Sequence, residues 1–505
     1  MKAITIVSAC ALALTLSGCN ANPVKKLSTL MPGSFDDEQT YLSQVDTQHK
    51  PPKTGIGAEA DRFRTQSSGL GLVEYPALEN YLNQHLDKLK TSSNLSGLDG
   101  RVYLSAEVGF SAWTSADGNI YIPMGMLNDI DNQHELAALL AHELVHALLN
   151  HNDADLFVRL QKKAVYTASL VSSLTNEGNN LPASDARRIR NMLAMTMVSD
   201  GFLNPGWSRH QEHVADKIAL DLMVSAGYNP EGMNLLLAKL HAWEEKNARI
   251  TAEREARNQA VLAAASEKAG VDLEKQLETG MDEITNKFKG FLKSFAHTHP
   301  DIEERIGDAA DYIALHYRRA ARPPMTGEEW SRLKESDQTQ QLIHSLSTIN
   351  KAMALSLKDK VEEASETALS ALNDYSYYQN YTRMALARIR RSQNDTDAVI
   401  ANADYGLKGA YPAYELHLHK GKFGADSLGS ATLEQLNEIF AEYGKPPQYY
   451  TDLIELADST SNTVLSSQLT MECKLHYMGE AVACSPGENA EEQEISYERT
   501  LDTLL

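Results

Sequence analysis

The chain has 505 residues, room for about two to four domains. Its 42% hydrophobic content is enough to build cores. Lys+Arg 47 against Asp+Glu 68 leaves a net charge of −21, which argues against a protein that grips phosphate backbones. Only four cysteines are present, which excludes a disulfide scaffold and a cysteine-rich zinc array.

Lys2, an apolar run over 3–16 and small residues after it predict a secretory signal over 1–18, too short to span a membrane. The ending Leu16-Ser17-Gly18-Cys19 resembles the lipobox of bacterial lipoproteins. That resemblance implies cleavage before Cys19 and acylation of Cys19, giving a membrane anchor of several chains where one alone is marginal. Asn20 is not the Asp that retains such proteins at the inner membrane, so the same resemblance implies the outer membrane. A plain signal peptide with an incidental cysteine is the alternative. No later segment reaches the roughly 18 uninterrupted apolar residues of a spanning helix. Residues 19–67 are polar, carry Pro51-Pro52, and predict a flexible tether.

A packed region is expected over 68–325. Leu78, Tyr81, Leu82, Leu86 and Leu89 have helical spacing over 76–90. Val102-Tyr103-Leu104 alternates, and the stretches 113–115 and 119–122 flank Asp117-Gly118, a hairpin signal. A small antiparallel sheet is therefore expected, and after Asp131 the pattern turns helical. Residues 244–289, rich in Glu, Lys, Arg and Ala, predict a solvated helical insertion. Pro323-Pro324 marks a boundary before a helical tail over 326–505. There Ala352, Ala364 and Ala371 fall at the small-residue intervals of tetratricopeptide repeats, and Ala398 follows Ala364 by 34 residues. Ala385 and Pro412 miss the expected positions and Tyr405 replaces a small residue, so the tail resembles a degenerate array. An irregular helical domain is the other reading. Stacked repeats present a curved surface suited to protein partners. In an oxidising compartment Cys473 and Cys484 are placed to pair across a short loop, with two buried free thiols as the alternative.

The chemistry centres on His142-Glu143-Leu144-Val145-His146, within an apolar helical run over 135–149. At about 100° per residue His142 and His146 share a face one turn apart, so both imidazoles can reach one ion. Glu143 lies beside them, placed to take a proton from an attacking water, which is why this pattern marks zinc hydrolases. His134-Glu135 is a decoy, since Ala138 stands where the second His would be. Two His leave a catalytic zinc one protein ligand short. Leu149 and Asn152 stand where a metzincin would carry its glycine and third histidine, and that class is excluded. A carboxylate from a second helix is the other solution. Glu212 and Asp216 are one turn apart, so one can bind zinc while the other holds a ligand His by its second nitrogen.

The HELVH motif preceded by Leu140-Ala141, the motif Glu212-x-x-Ala215-Asp216, and His297-Thr298-His299-Pro300 with Arg305 together resemble the zinc metallopeptidase family of HtpX, BepA and the CAAX prenyl proteases. The likeness covers about 69–322. The order of lipoprotein signal, peptidase domain and tetratricopeptide tail is most similar to the BepA-like periplasmic branch. The resemblance implies one Zn2+ per chain held by His142, His146 and Glu212, with Glu143 as general base and Asp216 supporting a ligand. For His299 it implies one of two roles: a fourth ligand that shuts the enzyme off, or an oxyanion stabiliser acting with Arg305. The first fits the BepA-like similarities better, and His297 has no match. His151 also matches a family pattern, but on a continuing helix it falls about 140° around from His146 and reads as structural rather than as a ligand. The hairpin precedes the catalytic helix as the substrate-aligning strand does in similar peptidases, and an extended peptide could add to it.

The implied fold is mainly α: a zincin-type α+β metallopeptidase domain followed by an α-helical tetratricopeptide-like solenoid. The implied activity is zinc-dependent endopeptidase cleavage of misfolded or stalled outer-membrane proteins, with the tail docking unfolded polypeptide or outer-membrane assembly machinery. A chaperone or assembly scaffold with a latent peptidase domain is the rival reading.

Overall fold

The computed structural model describes residues 35–48, 56–151, 209–246, 302–424, 430–476 and 484, with short gaps at 68, 96, 107–111, 244, 326, 357, 359 and 447–448. After α1 (Ala58–Gln66) come β1 (Leu72–Val73) and α2 (Pro76–Ser92). Pro76 opens α2, where a proline has no helical amide to lose, and Leu78, Tyr81, Leu82, Leu86 and Leu89 form its buried stripe as the spacing predicts. The remaining strands are β2 (Val102–Ser105), β3 (Trp113–Thr114) and β4 (Ile120–Pro123), and the sheet order is β1-β2-β4-β3.

β3 and β4 make the expected hairpin, with Gly118 at φ +85° in its turn. Gly100 lets the neighbouring backbone lie directly against that turn, because a Cβ there would collide with the Gly118 carbonyl. The sheet is mixed rather than antiparallel. β2 and β4 run parallel, Val102 opposite Ile120, because the second strand of the hairpin takes the place beside β2 and leaves β3 at the edge.

Asn132 caps α3 (Gln133–Leu148), accepting from the amides of His134 and Glu135. Glu135 reaches back to accept from the Asp131 amide at 3.0 Å, one residue before the N-cap. Nearly every residue of α3 is buried, so it is the central helix of the domain. His134 faces backbone groups with both ring nitrogens, the Asn229 amide and the Pro324 carbonyl, which is the structural use expected of a decoy. α4 (Arg209–Ser225) packs on α3, a helix over 231–243 (α5) follows, and α6 (Ile302–His316) packs on α4. The expected insertion over 244–289 lies, beyond 246, outside the described residues.

Two expectations about organisation are corrected. The stretch read as a tether docks on the domain where it is described. The Tyr41 amide donates to the Tyr312 hydroxyl at 2.8 Å and the Leu42 amide to Asp221 at 2.7 Å. α1 lies against the hairpin, where Asp61 accepts from the Tyr121 hydroxyl at 2.7 Å and from the Asn119 side-chain amide at 2.8 Å. A polar composition hid a few aromatic and charged anchors, including Phe35 stacked on Tyr41 at 4.5 Å.

The second correction concerns the boundary at 325/326. The tail comprises α7 (Glu328–Lys334), α8 (Asp337–Ser356), α9 (Val361–Ser370), α10 (Asn380–Ser392), α11 (Thr396–Gly406), α12 (Tyr414–Phe423), α13 (Ser430–Glu442), α14 (Tyr450–Ser459) and α15 (Thr463–His476). One apolar core runs from the preceding region through Ile389, and buried Trp330 donates its indole N–H to the Ile130 carbonyl at 3.0 Å. A proline pair ends a helix without ending a core. Helices adjacent in sequence pack in succession, α8 on α9 and α10 on α11. Ala364 is fully buried while Ala398 is half-buried, so the two positions 34 residues apart are not equivalent in packing. A second core gathers Tyr414, Phe440, Tyr450 and Leu453, and it contains a disulfide between Cys473 and Cys484. Among the described residues no helix is long and apolar enough to cross a membrane.

Candidate active site

α3 presents His142 and His146 one turn apart, and α4 brings Glu212 across from them. The two Nε2 atoms are 3.0 Å apart. Glu212 Oε2 lies 3.6 Å from Nε2 of His142, and Oε1 lies 3.7 Å from Nε2 of His146. A tetrahedral zinc with bonds of about 2.0–2.1 Å would hold its donors about 3.3–3.4 Å apart, so the three side chains fit that ion. Glu212 Oε1 is buried and has no hydrogen-bond partner among the described residues, a costly position for a carboxylate oxygen that a cation would relieve. Among the described residues, this is the cluster with metal-ligand spacing.

The opposite ring nitrogens explain why both Nε2 atoms turn to one point. Nδ1 of His142 is 2.9 Å from Asp216 Oδ1, and Nδ1 of His146 is 3.0 Å from Nδ1 of His151. Arg305, on α6, donates from Nε and Nη2 to Asp216 at 2.7 and 2.8 Å, and its Nη1 lies 2.9 Å from Glu212 Oε2. One buried guanidinium thus ties the candidate ligand to the carboxylate that supports another ligand. Burial pushes the Asp216 carboxyl upward, but the Arg305 guanidinium and His142 hold it well below the usual range. Burial works against charge on His142, yet Asp216 and Glu212 leave its pKa raised. For His146 burial prevails and keeps the ring neutral, the form that binds metal.

Glu143 is buried beside this group. Its Oε2 accepts from the Thr114 hydroxyl at 2.7 Å, and the same hydroxyl lies 3.0 Å from the Glu143 carbonyl oxygen. Burial pushes its pKa up, against the opposing pull of His142 and Thr114, which is the direction a general base requires. Thr114 belongs to β3, so the edge strand of the sheet is fastened to this carboxylate.

Residues 76–313 match the profile of Peptidase family M48. This region is an M48 peptidase domain. The match takes in His142, His146, Glu212, Glu143, Asp216 and Arg305. Metalloprotease YcaL of Escherichia coli (strain K12) is 25% identical over 143 residues, covering 28% of this chain and 51% of its own. Metalloprotease LoiP of the same organism is 26% identical over 155 residues, 30% of this chain and 56% of its own. A beta-barrel assembly-enhancing protease of Yersinia pestis is 25% identical over 179 residues, 35% of each chain. The chain spans about half the length of the first two of these relatives and less of the third.

Within the M48 domain the structure brings together every expected residue that it describes. Arg305, which one of the two readings of His299 places at an oxyanion, directs its guanidinium at Asp216 and Glu212, the placement of a positioning residue. His299 and His297 lie outside the described residues, as does Cys19. Two contributors went unforeseen. Thr114 lies in the predicted hairpin, but no spacing rule links it to Glu143. His151 reaches the back of His146 because α3 ends sooner than the apolar run suggests.

Proposed function

We propose that the chain is a zinc-dependent endopeptidase of the bacterial periplasm, lipid-anchored through Cys19, that degrades misfolded or stalled outer-membrane proteins. The observation that carries this reading is the convergence of His142, His146 and Glu212 on one point with Glu143 buried beside it. Zinc bound there would supply Lewis acidity, polarising the scissile carbonyl and making a water acidic near neutral pH. Glu143 takes the proton of the attacking water and passes it to the leaving amine, and no covalent intermediate on the protein is needed. Asp216 and Arg305 hold the ligand side chains in register. An extended substrate adds alongside β3, the last strand of the sheet among the described residues, where backbone hydrogen bonds tolerate many sequences, as an enzyme of unfolded chains requires.

The setting rests on separate supports. The disulfide between Cys473 and Cys484 suits an oxidising compartment. Similarity to a beta-barrel assembly-enhancing protease favours outer-membrane clients. The helical tail, read as tetratricopeptide-like from its spacing, offers the surface for unfolded clients or assembly machinery. In the same reading His299 is the fourth ligand that keeps the resting enzyme closed.

The test is digestion of an unfolded outer-membrane β-barrel protein by the purified chain. Cleavage that a chelator stops and zinc restores is the expected result; an intact substrate with one zinc bound per chain would turn the assignment toward an assembly scaffold. Thr114→Val should retain one zinc per chain, lower the unfolding midpoint because a buried carboxylate loses its donor, and lower kcat about 10–100-fold with KM little changed. That is the range expected from losing a hydrogen bond to a charged group, about 1.5–3 kcal/mol. A rise in KM with kcat intact would instead place Thr114 on the substrate side.

A further inference from the structure

α3 ends in a tight turn at Asn150. Asn150 takes the left-handed conformation at φ +51°, its amide bonds to the Ala147 carbonyl at 3.1 Å, and the His151 amide bonds to the His146 carbonyl at 3.0 Å. These two bonds are the Schellman closure of a helix, with asparagine where glycine is commonest. On a continuing helix His151 would point away from His146. The reversal folds it back over the last turn, so its ring lies 5.1 Å from the His146 ring, centroid to centroid, with the two Nδ1 atoms 3.0 Å apart.

A hydrogen bond between two imidazole nitrogens needs one proton between them. If Nε2 of His146 faces the ion, its Nδ1 carries the hydrogen and donates, and Nδ1 of His151 accepts. We infer that His151 is a positioning residue for the ligand His146, accepting from Nδ1 and fixing the tautomer and ring orientation that present Nε2 to zinc. The inference rests on the zinc reading of the site and extends it.

The choice of an imidazole here, rather than the carboxylate that serves His142, follows from charge. Glu143, Glu212 and Asp216 are all buried around one point, with Arg305 as the cation among them. A dication added to that set brings the formal sum to zero. A fourth carboxylate behind His146 would leave a buried negative charge, whereas a neutral acceptor orients the ring without adding one.

Zinc affinity, measured by chelator competition on the purified chain, tests this without recourse to turnover. His151→Phe keeps a flat ring and removes the acceptor, and is expected to bind zinc about 10–100-fold more weakly with the metal-free unfolding midpoint little changed. His151→Gln, whose side-chain oxygen can accept, should recover part of that loss. Asn150→Gly should bind as wild type, while Asn150→Val, strained at positive φ, should weaken binding as His151→Phe does. Wild-type affinity in His151→Phe, or a Gln variant no better than the Phe variant, overturns the inference and leaves the zinc site standing. Wild type that binds no zinc overturns the reading of the site itself, and this inference with it.

Discussion

Glu143→Gln is expected to reduce cleavage of an unfolded chain by about 10²–10⁴-fold while one zinc per chain is retained. Glu143 is not among the three side chains whose donor atoms converge on the candidate metal position, so its replacement leaves that cluster intact. Glutamine has the same length and can still accept from the Thr114 hydroxyl that now lies 2.7 Å from Oε2. What it cannot do is take a proton. Burial, the largest influence on this carboxyl, raises its pKa above the ordinary value, with the neighbouring His142 and Thr114 opposing. The base works only when deprotonated, so the acidic limb of the rate profile should vanish in the variant. Single-turnover cleavage together with metal analysis measures both quantities. Full activity in Glu143→Gln would remove the proton-transfer role, and loss of zinc along with activity would show that the side chain supports the metal instead.

What could be read in advance depended on how local the signal was. His142 and His146 follow from helical spacing alone, and the hairpin follows from Asp117-Gly118, since both are decided within a few residues. Glu212 and Asp216 were legible from spacing as a pair one turn apart, but only the family resemblance gave them separate roles. The contact that divides them comes from Arg305, 89 residues beyond Asp216 on another helix. The parallel pairing of β2 with β4 is likewise a tertiary choice that no period reveals.

Three departures from expectation have physical causes. The 19–67 stretch reads as a tether because its polar composition conceals docking through isolated groups such as Tyr41 and Asp61. Pro323-Pro324 reads as a domain boundary, yet Trp330 carries the same core across it. His151 faces away only on a helix extended past Asn150, a residue type suited to the left-handed end of a helix. That last signal was present in the sequence.

Arg305→Met is expected to destabilise the metal-free protein by about 3–5 kcal/mol at pH 7, the cost of removing one partner from a buried charge pair. The arginine is 5% exposed and meets two carboxylates that are 3% exposed, so water cannot replace it. The pH dependence follows from Asp216, whose folded pKa is depressed by Arg305 and His142 against the effect of burial. A depressed carboxylate contributes stability that is present above its unfolded pKa of about 3.9 and lost as pH falls through the lower folded value. Wild type therefore loses this contribution progressively below about pH 4. Without the guanidinium only His142 opposes burial at Asp216, so that carboxyl is less depressed and its contribution near neutrality is smaller. The difference between the two proteins should thus be widest near neutrality and narrow below about pH 4, a trend that denaturant unfolding of chelator-treated protein can follow. Arg305→Lys should fall between them, because an ammonium supplies the charge without the fork that spans Asp216 while reaching Glu212. Equal stabilities of wild type and Arg305→Met at pH 7 would mean that the carboxylates are neutral or hydrated in the folded chain, and the positioning role of Arg305 would fall with that result.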